Sequence, residues 1–471
     1  MKALIIISIL GVIAMMAEVL RFKKLLIPII VLGLGVALAT VIMDWNTDIR
    51  YFNDMAYFNN YALAFTGGVI FITLLWLLLG QEYFHDSHTK GEHAALILFC
   101  LTGAIAMISF SDLTFFFIGL EILSISLYVL AASNKSDLRS NESGLKYFLM
   151  GAFATGFLLF GIALIYGSTA TFNLIGIQEA LAKGANSPLM VKTGVLLILV
   201  GLLFKVSAAP FHFWAPDVYE GAPTLVTMFM ATVVKTAAFA AFYRLFSTCF
   251  ISLADTWVPV VAVLSAITML LGNIMAVFQS SFKRMLAYSS IAHAGYMMMA
   301  IAAMNEVSAG SIFFYAIAYS VGSLGAFSCL HAMSKKGDES ISGLNGLGKR
   351  QPKVAIFLSL IMFSLAGIPP VAGFFAKYYL FYGALMGGYT WLVLIAVLSS
   401  LIGVYYYFRV IFALFKSEPV SDEPLPMLFT KTLYFAHFDG YYFLGNWIVA
   451  CLVTKLNFIE IILLIFITFV S

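Results

Sequence analysis

VGLLFKVSAAPFHFW, residues 200–214, closes an apolar run that begins near residue 190 and places Lys205 five residues before Pro210. On insertion scales a lysine at the middle of a membrane span costs roughly 2.5–3.5 kcal/mol. A proline inside a helix removes a backbone donor and breaks the hydrogen-bond ladder. In lipid the freed carbonyls must find protein or water partners, so a broken span implies a cavity within a bundle. A costly charge beside a costly break is the pattern to be explained.

The surrounding chain has the composition of a membrane protein. Of its 471 residues, 62% are hydrophobic and 10% charged, against about 25% charged in soluble domains. Apolar blocks of roughly 18–25 residues recur, each long enough to cross a ~30 Å hydrocarbon core. The alternation expected of a barrel is absent. The expected fold is an all-α membrane protein with about fourteen spans, near 4–20, 25–43, 61–80, 94–110, 113–132, 147–167, 190–209, 223–245, 257–278, 285–303, 309–332, 354–385, 391–414 and 432–454. The N-terminal apolar run has no clear cleavage site and is read as a retained first helix. Lysines and arginines concentrate in loops after odd-numbered spans, for example Lys135, Arg139, Lys283, Arg284, Lys349 and Arg350. The positive-inside rule then puts both termini outside the cytoplasm, with the side of the C-terminus left open. The tail carries Asp439, Lys455 and Glu460, and its last apolar run is short for a span.

Three lysines do not belong to loops: Lys205, Lys235 in MFMATVVKTAAFAAF, and Lys377 in SLAGIPPVAGFFAKYYLF. Glu121, in FFFIGLEILSISL, is the clearest deep carboxylate. Snorkelling suits residues at span ends, but Glu121 and Lys235 lie near the middle of theirs. Two spans are broken, at Pro210 and Pro216 and at Pro369 and Pro370, each with a lysine close to the break. They are the seventh and twelfth. Two five-helix units would give that spacing, and an odd-numbered repeat must be inverted in the membrane.

Burial disfavours the charged form of a lysine and a nearby carboxylate favours it. Changing that proximity makes the lysine take up or release a proton. Lys205 is thus expected to be a switchable proton carrier, with Glu121 its modulator. Ser289, His293 and Tyr296 share one helix face, and His293 is a possible relay because histidine titrates near neutrality.

Other signals carry less. GLNGLGKR, residues 343–350, matches G-x-x-x-x-G-K but continues with Arg350 where a phosphate loop has Ser or Thr, and no strand precedes it. HDSHTKGEH, residues 85–93, has no regular ligand spacing for a metal. Cys100, Cys249, Cys329 and Cys451 are scattered, which argues against a cysteine-ligated cluster in this chain. A nucleic-acid partner is not expected.

The stretches FKVSAAPFHFWAPDVYEGAPT, SSFKRMLAYSSIAHAGYM and SLAGIPPVAGFFAKYYLF together resemble the antiporter-like membrane subunits of respiratory complex I. The resemblance covers nearly the whole chain to about residue 415. It implies fourteen transmembrane helices: an N-terminal group (1–93), a first half-channel (94–250), an inverted second half-channel (251–415) and a C-terminal helix region (416–471). It implies a charged axis in which Glu121 pairs with Lys205, Lys235 lies between the half-channels and Lys377 leads to the outer exit. FMN, iron–sulfur clusters, NADH and quinone would belong to other subunits, with no cofactor or metal in this chain. The partners would be other membrane subunits, including neighbouring antiporter-like ones, and the lipid of a bacterial inner membrane. Two competing functions are a subunit of a multisubunit cation/proton antiporter and a non-pumping scaffold of the membrane arm.

Overall fold

A computed structural model describes residues 1–19, 23–80, 90–184, 187–334 and 338–416. The fourteenth expected span, the tail residues Asp439, Lys455 and Glu460, and His85 and His88 lie outside the described residues.

The described chain is helical, with one short hairpin. The helices are α1 (Lys2–Val19), α2 (Lys23–Met43), α3 (Asn60–Leu79), α4 (Lys90–Ser109), α5 (Leu113–Ala131), α6 (Leu138–Thr169), α7 (Leu174–Ala182), α8 (Pro188–Lys205) and α9 (Trp214–Gly221). There follow α10 (Thr224–Thr248), α11 (Ala254–Val277), α12 (Phe282–Ala303), α13 (Ser308–Ser334), α14 (Leu347–Arg350), α15 (Pro352–Ala366), α16 (Ala372–Met386) and α17 (Thr390–Phe415). Among the described residues eleven helices are long and apolar enough to cross a membrane. Expected spans one and twelve are missing from that set for visible reasons. The apolar part of α1 is short, and span twelve divides into α15 and α16, separated by Gly367–Val371.

The first broken span is just as clear. α8 stops at Lys205, and the chain passes through a non-helical stretch with Ser207 at φ 62° before α9 begins at Trp214. Trp214 Nε1 donates to the Phe204 carbonyl (3.0 Å), which also accepts from the Ser207 amide (3.0 Å). At the second break Gly367 has φ +82°, which glycine adopts at no steric cost. Gly373 lies so near α15 that a Cβ there would stand 1.8 Å from the Ser364 carbonyl oxygen.

Three features were not expected. A hairpin pairs β1 (Ile49–Tyr51) with β2 (Ala56–Phe58), Ile49 opposite Phe58. The short helix α7 fills the connection after α6. Within α10 a single π-helical segment, Met230–Val234, ends where Lys235 begins. α10 and α12 are enclosed along their whole apolar windows, whereas α2 and α17 are largely exposed. The centre of the bundle is therefore built on α10 and α12, and α12 packs closely on α11.

Candidate functional site

All three lysines assigned to spans point inward: Lys205, Lys235 and Lys377 are 6%, 3% and 7% exposed. Each gives a hydrogen bond to a serine hydroxyl on a neighbouring helix. Lys205 Nζ donates to Ser124 Oγ on α5 (2.6 Å). Lys235 Nζ donates to Ser290 Oγ (2.5 Å) and to the Ser290 carbonyl (2.7 Å) on α12. Lys377 Nζ donates to Ser400 Oγ on α17 (2.8 Å) and to the Ala366 carbonyl (2.7 Å), the last of α15. Among the described residues none of the three forms an ion pair with a carboxylate.

Glu121 lies one turn before Ser124 on α5. It is half-buried, within electrostatic reach of Lys205, and its Oε1 has no hydrogen-bond partner. The structure thus gives the Lys205 ammonium to the Ser124 hydroxyl, and Glu121 forms no ion pair with it.

Each break lysine borders a cavity of about 10 Å³, close to the room one water needs. The first lies between α5, α6 and α8, with Tyr128, Thr155 and Lys205 in its wall. The second is walled by His293, Tyr315, Tyr319, Gly373 and Lys377. His293 is buried on α12 with both ring nitrogens engaged, Nδ1 with Tyr315 Oη (2.6 Å) and Nε2 with Tyr407 Oη (3.0 Å).

Two more cations, read in sequence as ordinary loop charges, are buried. Lys283 Nζ donates to the Ala222 carbonyl (2.8 Å) and lies 3.8 Å from Glu339. Arg244 gives hydrogen bonds to the carbonyls of Ile108 and Tyr57 (3.0 Å each), tying α10 to α4 and to the hairpin. Nearby, Arg284 bridges Asp217 (3.1 Å) and Glu220 (2.5 Å) of α9, and Lys146 pairs with Asp217 (2.9 Å). Burial would raise the Asp217 carboxyl, but Lys146 and Arg284 together hold it below the usual carboxylate range. The serines gave no sequence signal at all, since their role depends on which helix faces which. Residues 343–350 form a 3₁₀ turn running into the one-turn helix α14, not the strand–loop–helix of a phosphate site. Among the described residues no cluster of His, Cys, Asp or Glu could hold a metal ion.

The family model described as NADH:quinone oxidoreductase/Mrp antiporter, TM, matches residues 111–403, a span that includes Glu121, the three buried lysines Lys205, Lys235 and Lys377, and the serines that receive them. The chain belongs to this family. Among the relatives of this NADH:quinone oxidoreductase/Mrp antiporter member, NADH-quinone oxidoreductase subunit N of Cytophaga hutchinsonii is 45% identical over 90% of this chain and 93% of its own length. Among solved structures, respiratory complex I from Thermus thermophilus with bound aureothin contains a similar chain. Its TM-score is 0.76 at 32% identity, covering 90% of this chain and 92% of that one. The Mrp complex from Dietzia sp. reaches a TM-score of 0.80 at 22% identity over 90% of this chain and 82% of that one, a likeness of fold alone.

Proposed function

We propose that this chain is a proton-translocating membrane subunit of NADH:quinone oxidoreductase, placed in a bacterial inner membrane beside other membrane subunits of that complex. The observation that carries the reading is the set of three buried lysines, each bonded to a hydroxyl and none to a carboxylate. A lysine held by neutral partners can release its proton without leaving an unpaired buried anion, which a tight ion pair would do. Glu121, Lys205, Lys235 and Lys377 form the relay, with His293 between Lys235 and Lys377. Electron transfer from NADH to quinone takes place in other subunits, which hold the FMN and iron–sulfur clusters, and this chain couples it to proton movement.

The same reading takes residues 94–250 and 251–415 as two inverted five-helix half-channels, after an N-terminal group at 1–93 and before a C-terminal helix region at 416–471, fourteen helices in all. Similar packing in the two halves supports it. Gly103 lets α4 approach α5, and Gly272 lets α11 approach α12, with a Cβ at either position meeting neighbouring backbone at 2.6 Å.

The test is Lys205→Ala in the whole complex reconstituted into vesicles, with proton uptake and quinone reduction followed together. Normal assembly with lost proton movement is expected; normal assembly with unchanged proton movement overturns the role. The family description also covers Mrp antiporters, which favours a second reading, a cation/proton antiporter subunit. Purification through this chain separates the two: flavin and iron–sulfur subunits accompany it in the first case and not in the second.

A further inference from the structure

His293 lies within a chain of hydroxyls. Tyr407 of α17 bonds through its hydroxyl to Ser289 and to His293 Nε2, and His293 Nδ1 bonds to the hydroxyl of Tyr315 on α13. Ser289 is next to Ser290, which receives Lys235. At the other end Tyr315 and Lys377 border the same cavity. All these side chains are buried.

We propose that Tyr407 and Tyr315 carry protons, linking the Lys235 side of the bundle to Lys377 through His293, which works as a tautomer switch between two phenols. This inference rests on the proton-translocating reading above. A neutral imidazole donates from one nitrogen and accepts at the other. Begin with Tyr407 donating to Nε2 and Nδ1–H donating to Tyr315. A proton entering at Ser289 displaces the hydroxyl hydrogen of Ser289 onto Tyr407, and that of Tyr407 onto Nε2. The imidazolium gives its Nδ1 proton to Tyr315, and Tyr315 passes its own across the cavity to an unprotonated Lys377. One proton has moved, every oxygen has regained a hydrogen, and His293 has changed tautomer. The chain is reset when the hydroxyls turn back and His293 returns to its Nδ1–H tautomer.

A phenol outside the chain serves as the control. Tyr61 of α3 donates to the Ala240 carbonyl of α10 (2.8 Å), a backbone acceptor that does not pass protons, so Tyr61→Phe deletes a hydroxyl that has no part in the path.

The experiment compares Tyr407→Phe, Tyr315→Phe, the double variant, Tyr61→Phe and Lys235→Ala in the assembled complex in vesicles, reading proton uptake per quinone reduced. Each of the first two is expected to lower proton uptake about tenfold or more, the scale of losing one proton-transfer group. Their double variant falls no further, because a series path is broken once. Tyr61→Phe stays near the wild type. Tyr407→Phe or Tyr315→Phe variants that assemble and pump like Tyr61→Phe, while Lys235→Ala fails, overturn the tyrosine link and leave the relay reading standing. Normal pumping by Lys235→Ala overturns the relay reading itself. Strictly additive losses in the double variant also refute a single chain.

Discussion

Gly367→Ala is the sharpest perturbation of the second break. Gly367 has φ +82°, and a Cβ there would lie 2.7 Å from Lys377 Cδ and 3.1 Å from its Nζ. Two costs follow. The left-handed backbone conformation costs an alanine about 1–2 kcal/mol. The methyl also pushes Lys377 from the position in which it bonds the Ala366 carbonyl and Ser400. One hydrogen bond from a charged group is worth about 1.5–3 kcal/mol, or roughly a 10- to 100-fold loss in the population of correctly placed ammonium. The first cost can be measured separately. Gly388 has φ +81° and nothing within 4 Å of its would-be Cβ, so Gly388→Ala carries the backbone strain without touching Lys377. Both variants are assembled into the complex, and proton uptake per quinone reduced is measured in vesicles. Gly367→Ala should lose most proton uptake and Gly388→Ala little. Equal behaviour of the two variants would refute the claim that the position of Lys377 governs the path.

Lys205→Arg should fail nearly as badly as Lys205→Ala in the same assay, because a guanidinium keeps its proton at any working pH; normal pumping by the arginine variant would show that charge alone is needed. Glu121→Gln combined with Lys205→Ala should be little worse than Lys205→Ala alone, with a coupling energy of roughly 0.5–3 kcal/mol, and additive losses in a double-mutant cycle would separate the two residues. Asp217→Asn should alter the thermal stability of the complex by only about 0–1 kcal/mol per pair, since its ion pairs with Lys146 and Arg284 are partly exposed. The depressed carboxyl keeps those pairs intact from neutral pH down to the ordinary carboxylate range and loses them as pH falls through its folded value, so a melting series should show no Asp217-dependent change between about pH 5 and 8.

What the sequence disclosed depended on signals carried by single residues. Pro210, Pro369 and Pro370 mark breaks because proline breaks a helix wherever it lies. Lys205, Lys235 and Lys377 stand out because charge in an apolar run is costly. Features that depend on two helices meeting left no local trace. Ser124, Ser290 and Ser400 look like any serine in a span until α5, α12 and α17 bring them to the lysines. Lys283 and Arg244 read as loop charges because they lie near helix ends, yet their partners are carbonyls at Ala222, Ile108 and Tyr57. The π segment before Lys235 and the hairpin at residues 49–58 are each too short for a periodic pattern to reveal.

The two breaks solve one electrostatic problem in two ways. Lys205 is itself the final residue of α8, whereas Lys377 belongs to α16 and reaches back to the final carbonyl of α15. At the first break the ammonium goes across to the Ser124 hydroxyl on α5, and at the second it meets the C-terminal end of the half-helix that precedes the break. Such an end carries about half a negative charge that cannot titrate. It stabilises the protonated lysine, and it stays in place when the proton leaves. A carboxylate at the same position would hold the proton tightly, then stand as a bare buried anion after release. In the proposed relay Glu121 modulates Lys205 without an ion pair, which avoids that trap. Lys235 has no break to use and obtains its fixed dipole from the Ser290 carbonyl instead. Lys235 and Lys377 thus each have a fixed backbone dipole as partner and Lys205 a hydroxyl, and among the described residues none of the three is paired with a carboxylate.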